Sequence, residues 1–220
     1  MGSPHHPDTP VRSYMDDPNI QWKTGKPDYS AVNEKYLKER TKHHKLDSME
    51  KFVENLVKSW EMESTHKINP KDWQTVDREN FTVRANGGYV GSLQDNIDIG
   101  NYNIMLMQSP LFDGTIPRQK SVDLFFNAFP GGFAWELLEL FSGPPVVTFT
   151  WRHWARWEGE FMGNEPTGEE IEMFGSTVAR TNEDGKIRSV EVFFDPNVML
   201  GKLMKFDITK VEGCPFSTKM

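Results

Sequence analysis

Cysteine is nearly absent: the single Cys214 stands close to the C-terminal end. One thiol excludes an internal disulfide, a paired redox motif and a thiolate-rich metal site, and it fits a reducing compartment. Basic residues are also scarce, with 25 Lys and Arg against 32 Asp and Glu and a net charge of −7. No overall positive field exists to meet a phosphate backbone, so nucleic acid is not an expected partner. No apolar run approaches the roughly 20 residues of a membrane span, and the N-terminal stretch lacks the apolar core of a signal peptide. The expectation is a soluble, cytoplasmic protein without a membrane partner. Phosphate-binding loops, the dinucleotide glycine fingerprint, HExxH and GxSxG are missing too. The six His and one Cys show no ligand spacing. Neither a metal nor a cofactor is expected.

Rings are abundant. Fifteen Phe, seven Trp and five Tyr make 12% of the 220 residues, more large rings than packing alone usually needs. Such rings serve either the core or the wall of an apolar pocket. The length suits one domain. Residues 1–30 are rich in Pro, Asp, Lys and Gly and read as an extended arm, which Trp22 and Tyr29 are placed to anchor. The folded body is assigned to 31–206 and a tail to 207–220.

Periodicity divides the body into early helices and late strands. Asp47 and Glu50 have capping-box spacing, and Met49, Val53, Leu56, Trp60 and Glu63 then recur at helical intervals toward His66. A short strand is expected around 81–84. Ser92 and Asp95 form a second cap, opening a helix through Ile97, Tyr102 and Leu106 toward Gln108. A third helix spans about 118–129 and stops at Pro130, Gly131 and Gly132. Four antiparallel strands succeed it at 133–141, 146–158, 170–181 and 186–194, and a helical tail is expected after Pro196. Helices first and a strand meander after them predict an α+β fold with a curved sheet wrapped over helices.

Strict alternation on the long strand puts Val147, Phe149, Trp151, His153, Ala155 and Trp157 on one face, taken as the inner one. An inward His153 among rings is either a poised acid or base or a structural, hydrogen-bonded imidazole. Glu63 and His66 project from one side of the long helix toward the sheet, where they are either a buried catalytic pair or a solvated helix end. Asp195 either caps the next helix or reaches a cavity mouth. Arg152 and Arg156 face outward and are expected to pair with Glu170 and Glu172. The candidate ligand-contacting rings are Trp60, Tyr102, Phe133, Trp135, Phe149, Trp151 and Trp157.

The run GEFMGNEPTGEEIEMFGSTVARTNEDGKIRSVEVFFDP, residues 159–196, carries a G-x-x-x-G-x-x-P-T-G turn and a D-G-K-I hairpin before a last strand ending in Asp. In this it resembles SnoaL-like proteins of the nuclear-transport-factor-two-like superfamily. The segments SWEMESTHK (59–67), FPGGFAWELLELFSGPP (129–145) and RHWARWEGEFMG (152–163) look closer still to plant pathogen-related proteins and their fungal relatives. The resemblance covers about residues 12–206. It implies a cone-shaped α+β barrel around a deep apolar pocket, often in a homodimer. It also implies an acid/base role for Asp195, and it departs from the family at Trp157, where a histidine is usual; His153 stands one strand-repeat earlier. The activity implied by the resemblance is that of a cofactor-independent cyclase, isomerase or pericyclase of Diels–Alder type, acting on a hydrophobic polyketide or terpenoid. The alternative is a stress or defence protein that binds such a molecule without turning it over.

Overall fold

The computed structural model describes residues 6–206; the tail assigned to 207–220, with Cys214, lies outside the described residues. Six helices and six strands are arranged in the order α1 (Ser30–Glu39), α2 (Met49–His66), a 3-10 turn (Pro70–Asp72), β1 (Thr82–Ala85), β2 (Gly91–Ser92), α3 (Leu93–Asp98), α4 (Asn101–Leu106), α5 (Arg118–Ala128), β3 (Ala134–Ser142), β4 (Val146–Arg156), β5 (Glu170–Thr181), β6 (Ile187–Phe194) and α6 (Asn197–Leu203). The α+β expectation holds, with helices first and an antiparallel β3–β4–β5–β6 meander after them.

Two features of the sheet differ from the expectation. Its order is β2-β1-β6-β5-β4-β3, so it is curved but unclosed, with β2 and β3 as free edges. It is also mixed, because β1 pairs with β6 in parallel, Thr82 opposite Ser189 and Ala85 opposite Val192. A parallel neighbour needs a long crossover, which the intervening helices and meander supply. The β3–β4 ladder slips between Leu137 and Glu139 and again between Leu140 and Ser142. Such irregularities bend a sheet and increase its twist.

Local chemistry explains most element ends. The α2 cap is Ser48 rather than Asp47: the Ser48 hydroxyl accepts the Lys51 N–H at 3.2 Å. At the other end of α2, Lys23 and Arg118 donate to the carbonyl of Ser64 at 3.3 and 3.0 Å, satisfying carbonyls that a helix leaves open. The Ser92–Asp95 capping box forms as expected, but the single helix predicted after it is broken into α3 and α4 at Gly100, whose φ of +88° suits glycine. No helix is read from the sequence over 30–39, because α1 buries only Tyr36 and carries a weak apolar stripe.

The arm before α1 is laid over α2. Backbone N–H groups of Val11 and Ser13 donate to Asn55 and Ser59, and Trp22 bridges to Lys67. The sheet is covered on both sides. On its outer face Trp154 is fully buried against Tyr36 and Ala134 and donates its indole N–H to Glu39 Oε2 at 2.7 Å. Arg152 meets Glu136 and Glu172 there, whereas Arg156 donates instead to the Gly168 carbonyl. On the inner face, Phe149 and Trp151 join Val53, Leu106 and Phe125 in the main core. Among the described residues no helix is long and apolar enough to cross a membrane.

Candidate functional site

Between α2, α5 and the inner face of β3–β6 lies a cavity of about 890 Å³, a size typical of small-molecule sites. Its helical wall is one side of α2: positions 49, 52, 53, 56, 57, 60, 61 and 65 line it at the i, i+3, i+4 spacing of a single helix face, widened at its flanks by Lys58 and His66. Its sheet wall is the alternating set Val147, Phe149, Trp151 and His153 of β4, continued by Thr177 of β5 and Phe194 of β6. The N-terminal arm closes one side through Arg12 and residues 24–29. Large rings and thioethers counted as exposed, such as Phe52, Met49 and Phe126, line this space.

Trp151 is seated by a gap in the sequence of its neighbour. It lies opposite Gly175 in the β4–β5 register, and a Cβ on Gly175 would stand 2.3 Å from the Trp151 ring. The indole N–H then donates to Thr177 Oγ1 at 3.0 Å, so the ring is fixed both by shape and by a hydrogen bond. His153 packs between Phe133 and Trp151, with centroid distances of 4.2 and 6.3 Å. Burial among rings drives its imidazole down to about 3, with the Phe133 backbone opposing and Lys58 adding to the effect. At neutral pH it is therefore an uncharged donor and acceptor.

A second polar group, which the sequence reading missed, occupies the arm side of the cavity. Tyr29 donates its hydroxyl to Glu61 Oε2 at 3.3 Å, and Thr65 donates to Glu61 Oε1 at 3.4 Å. The Arg12 guanidinium lies 3.5 Å from the centre of the Tyr29 ring. Burial pushes the Glu61 carboxyl above its ordinary range, against Arg12, Tyr29 and Thr65. Burial and the Glu61 charge raise Tyr102, and the same pair, burial first, raises Tyr29. His66 stands beside Tyr29 and Phe126, at 6.0 and 5.9 Å, and is lowered to about 4 by burial and then by Lys23, Arg118 and Arg12. The cluster thus joins a carboxyl whose pKa is raised, phenols that stay protonated and an uncharged imidazole on the arm side of the cavity, a set of polar groups placed to meet a carbonyl oxygen.

The structure brings His153, His66, Trp60, Tyr102, Phe133, Trp135, Phe149 and Trp151 to this one cavity and leaves three candidates out of it. Glu63 is fully buried away from the cavity, where its Oε1 accepts from Lys67 Nζ at 2.9 Å and Gln74 N at 2.8 Å, and its Oε2 from Thr75 N at 3.0 Å and Thr75 Oγ1 at 2.6 Å. Four bonds saturate the carboxylate and make it a structural clamp. Trp157 does bury on the inner face with Phe149, Trp151 and Ala155, but it is fully enclosed there, donates to the Gly159 carbonyl at 2.7 Å and does not line the cavity. Asp195 is exposed and accepts the Asn197 N–H at 2.9 Å, a local turn just ahead of α6, whose cap position is Pro196, rather than a cavity mouth. The sequence does hold a signal for Glu61: i+4 steps from Val53 lead through Val57 to Glu61, not to Glu63. Among the described residues no three His, Cys, Asp or Glu side chains converge as a metal site.

No protein-family model matches the chain. The pathogen-related protein of barley (Hordeum vulgare) is 34% identical over 208 residues, covering 88% of this chain and 87% of the relative. Among solved structures, a candidate polyketide cyclase from Acidithiobacillus ferrooxidans is 16% identical, covers 74% of this chain and 100% of its own, and superposes with a TM-score of 0.45. AclR, a candidate hydroxylase from Streptomyces galilaeus, is also 16% identical, with 70% and 80% covered and a TM-score of 0.44. Similarity at this level identifies no activity.

Proposed function

The chain belongs to the pathogen-related protein family, and from that premise we propose that its cavity binds a hydrophobic, carbonyl-bearing molecule of polyketide or terpenoid type and promotes its cyclisation or isomerisation without a cofactor. The observation that carries this reading is the Glu61–Tyr29 pair, set with His66 and Tyr102 at one side of an otherwise aromatic cavity. Aromatic walls hold the carbon skeleton in one folded conformer. The Tyr29–Glu61 pair, whose carboxyl is raised above its ordinary range, polarises a carbonyl oxygen, while an uncharged His66 or His153 accepts a proton from the adjacent carbon. For a pericyclic rearrangement the same donors polarise the carbonyl and no proton moves.

The test is a proton-exchange experiment. A hydrophobic ketone such as β-ionone, incubated with the protein in heavy water, should exchange its α-hydrogens faster than in buffer by roughly a hundredfold, the scale of a positioned acid or base. Glu61→Gln, which keeps a donor but removes the acid, should lower that rate at least tenfold with binding retained. Binding without any acceleration favours the second reading, a carrier of hydrophobic molecules in stress or defence. The exclusion of Asp195 from the cavity supports that second reading, since it removes the acid/base group that the SnoaL-like resemblance assigns.

A further inference from the structure

One chemically distinctive group in the cavity wall has no part in that reading: the amine of Lys58 on α2. Its Nζ is covered and has no hydrogen-bond partner. It sits 3.6 Å from the centre of the Tyr36 ring and 6.0 Å from that of Trp135. The nearest anion is Glu54, with Oε1 at 3.5 Å, but that oxygen is already occupied. It accepts from Tyr36 Oη at 2.6 Å and from Lys51 Nζ at 3.1 Å, while Oε2 faces the Leu137 N–H at 3.4 Å.

Charge counting makes the position sharper. Two amines, Lys51 and Lys58, share one carboxylate, and Arg12 from the arm adds a further positive field. From β4, His153 adds no further positive charge, since it is itself held neutral. Lys51 takes the hydrogen bond, so Lys58 is the surplus cation. An ammonium that is buried, held only by one long ion pair and surplus in charge loses its proton readily; burial first, opposed by Glu54, brings Lys58 down to about 7. A neutral amine on an apolar wall is a nucleophile. Lys58 lines the cavity together with Tyr36 and Trp135, so a ligand held there meets the amine at the wall.

We propose that Lys58 is a covalent capture site, whose amine forms an imine with an aldehyde or ketone carbon of the hydrophobic molecule held in the cavity. The Nζ lone pair attacks the carbonyl carbon and the C=O π pair moves to oxygen. The nitrogen gives up its two protons in turn and the oxygen takes up two. The C–O bond breaks with loss of one water as the C=N bond forms. Atoms balance with no oxidant or reductant. The proposal rests on the cavity taking an apolar carbonyl compound, and its test separates the two.

The full chain is incubated with dodecanal and cyanoborohydride at pH 6.5, where surface lysines are almost fully protonated, and adducts are mapped by peptide mass on the wild-type protein. One alkyl group on Lys58, roughly tenfold above any other lysine, is the expected result, with the adduct suppressed by an excess of 1-dodecanol. Lys58→Met should abolish it. Dodecanol binding, followed by tryptophan emission, together with adducts spread evenly over surface lysines or none at all overturns the imine and leaves the cavity reading standing. Failure of both dodecanol binding and Lys58 labelling overturns the two together.

Discussion

Glu61 and Glu63 stand two residues apart on α2 and do opposite things: Glu61 faces the cavity with Tyr29, while Glu63 faces away and clamps Lys67 to Thr75. Two residues turn a helix by about 200°, so one carboxylate is committed to ligand and the other to folding. Removing Glu63 leaves Lys67, itself fully buried, without its anion. Glu63→Ala should therefore cost about 3–5 kcal/mol, read as a lower urea midpoint, with ligand affinity of the folded fraction preserved. Glu61→Gln should do the reverse, leaving the midpoint nearly unchanged and altering α-hydrogen exchange. An equal loss of stability from both substitutions would falsify the division.

Acid should destabilise the protein through its buried imidazoles. His153 is lowered to about 3 and His66 to about 4, both below the ordinary value of 6.5. Between those limits the unfolded chain binds more protons than the folded one, so stability rises with pH across this window and is lost as pH falls through it. From pH 6.5 to 4.5, His153 alone accounts for roughly 2 kcal/mol. His153→Phe should accordingly lose less stability than wild type over that range. Parallel pH profiles of the two proteins, measured by urea unfolding, contradict the assignment.

Asp195→Asn is expected to leave both ligand affinity and α-hydrogen exchange unchanged. The side chain accepts only the Asn197 N–H, in solvent, just ahead of α6, and an Asn amide oxygen accepts that local bond as well as Asp does. A tenfold or larger fall in exchange rate would return Asp195 to the site and show that α6 moves when ligand binds.

The sequence is readable where its signals are local. The inward set from Val147 to His153 is legible because alternation with period two continues unbroken along β4 and its partner β5. The parallel β1–β6 pair is not, since Thr82 and Ser189 are joined across more than a hundred intervening residues and no local pattern encodes that contact. A single row of apolar residues along α2 points to Glu63 rather than Glu61. The cavity face is two rows wide, and the second, Val53 to Val57 to Glu61, is the one that ends in a carboxylate. Lys58 and the Tyr29–Glu61 contact are invisible in the sequence for another reason: they are assembled from α1, α2, β3 and the arm, so these environments exist only after folding.

The tightest coupling in the cavity wall is between Gly175 and Trp151. A methyl at position 175 would fall 2.3 Å from the indole and 2.6 Å from the Phe193 carbonyl oxygen. The second contact is to backbone in the neighbouring strand and cannot be relieved by a side-chain rotation. Gly175→Ala must then push Trp151 into the cavity and strain the β5–β6 ladder, at a cost of about 1–3 kcal/mol, and it breaks the hydrogen bond to Thr177. Affinity for 1-dodecanol should drop at least tenfold. Trp151→Phe removes the part of the ring that collides, so the double variant should be less destabilised than the sum of the two single ones, by more than about 0.5 kcal/mol. Strict additivity in that cycle would mean that the backbone contact alone dictates glycine there and that Trp151 is free to move.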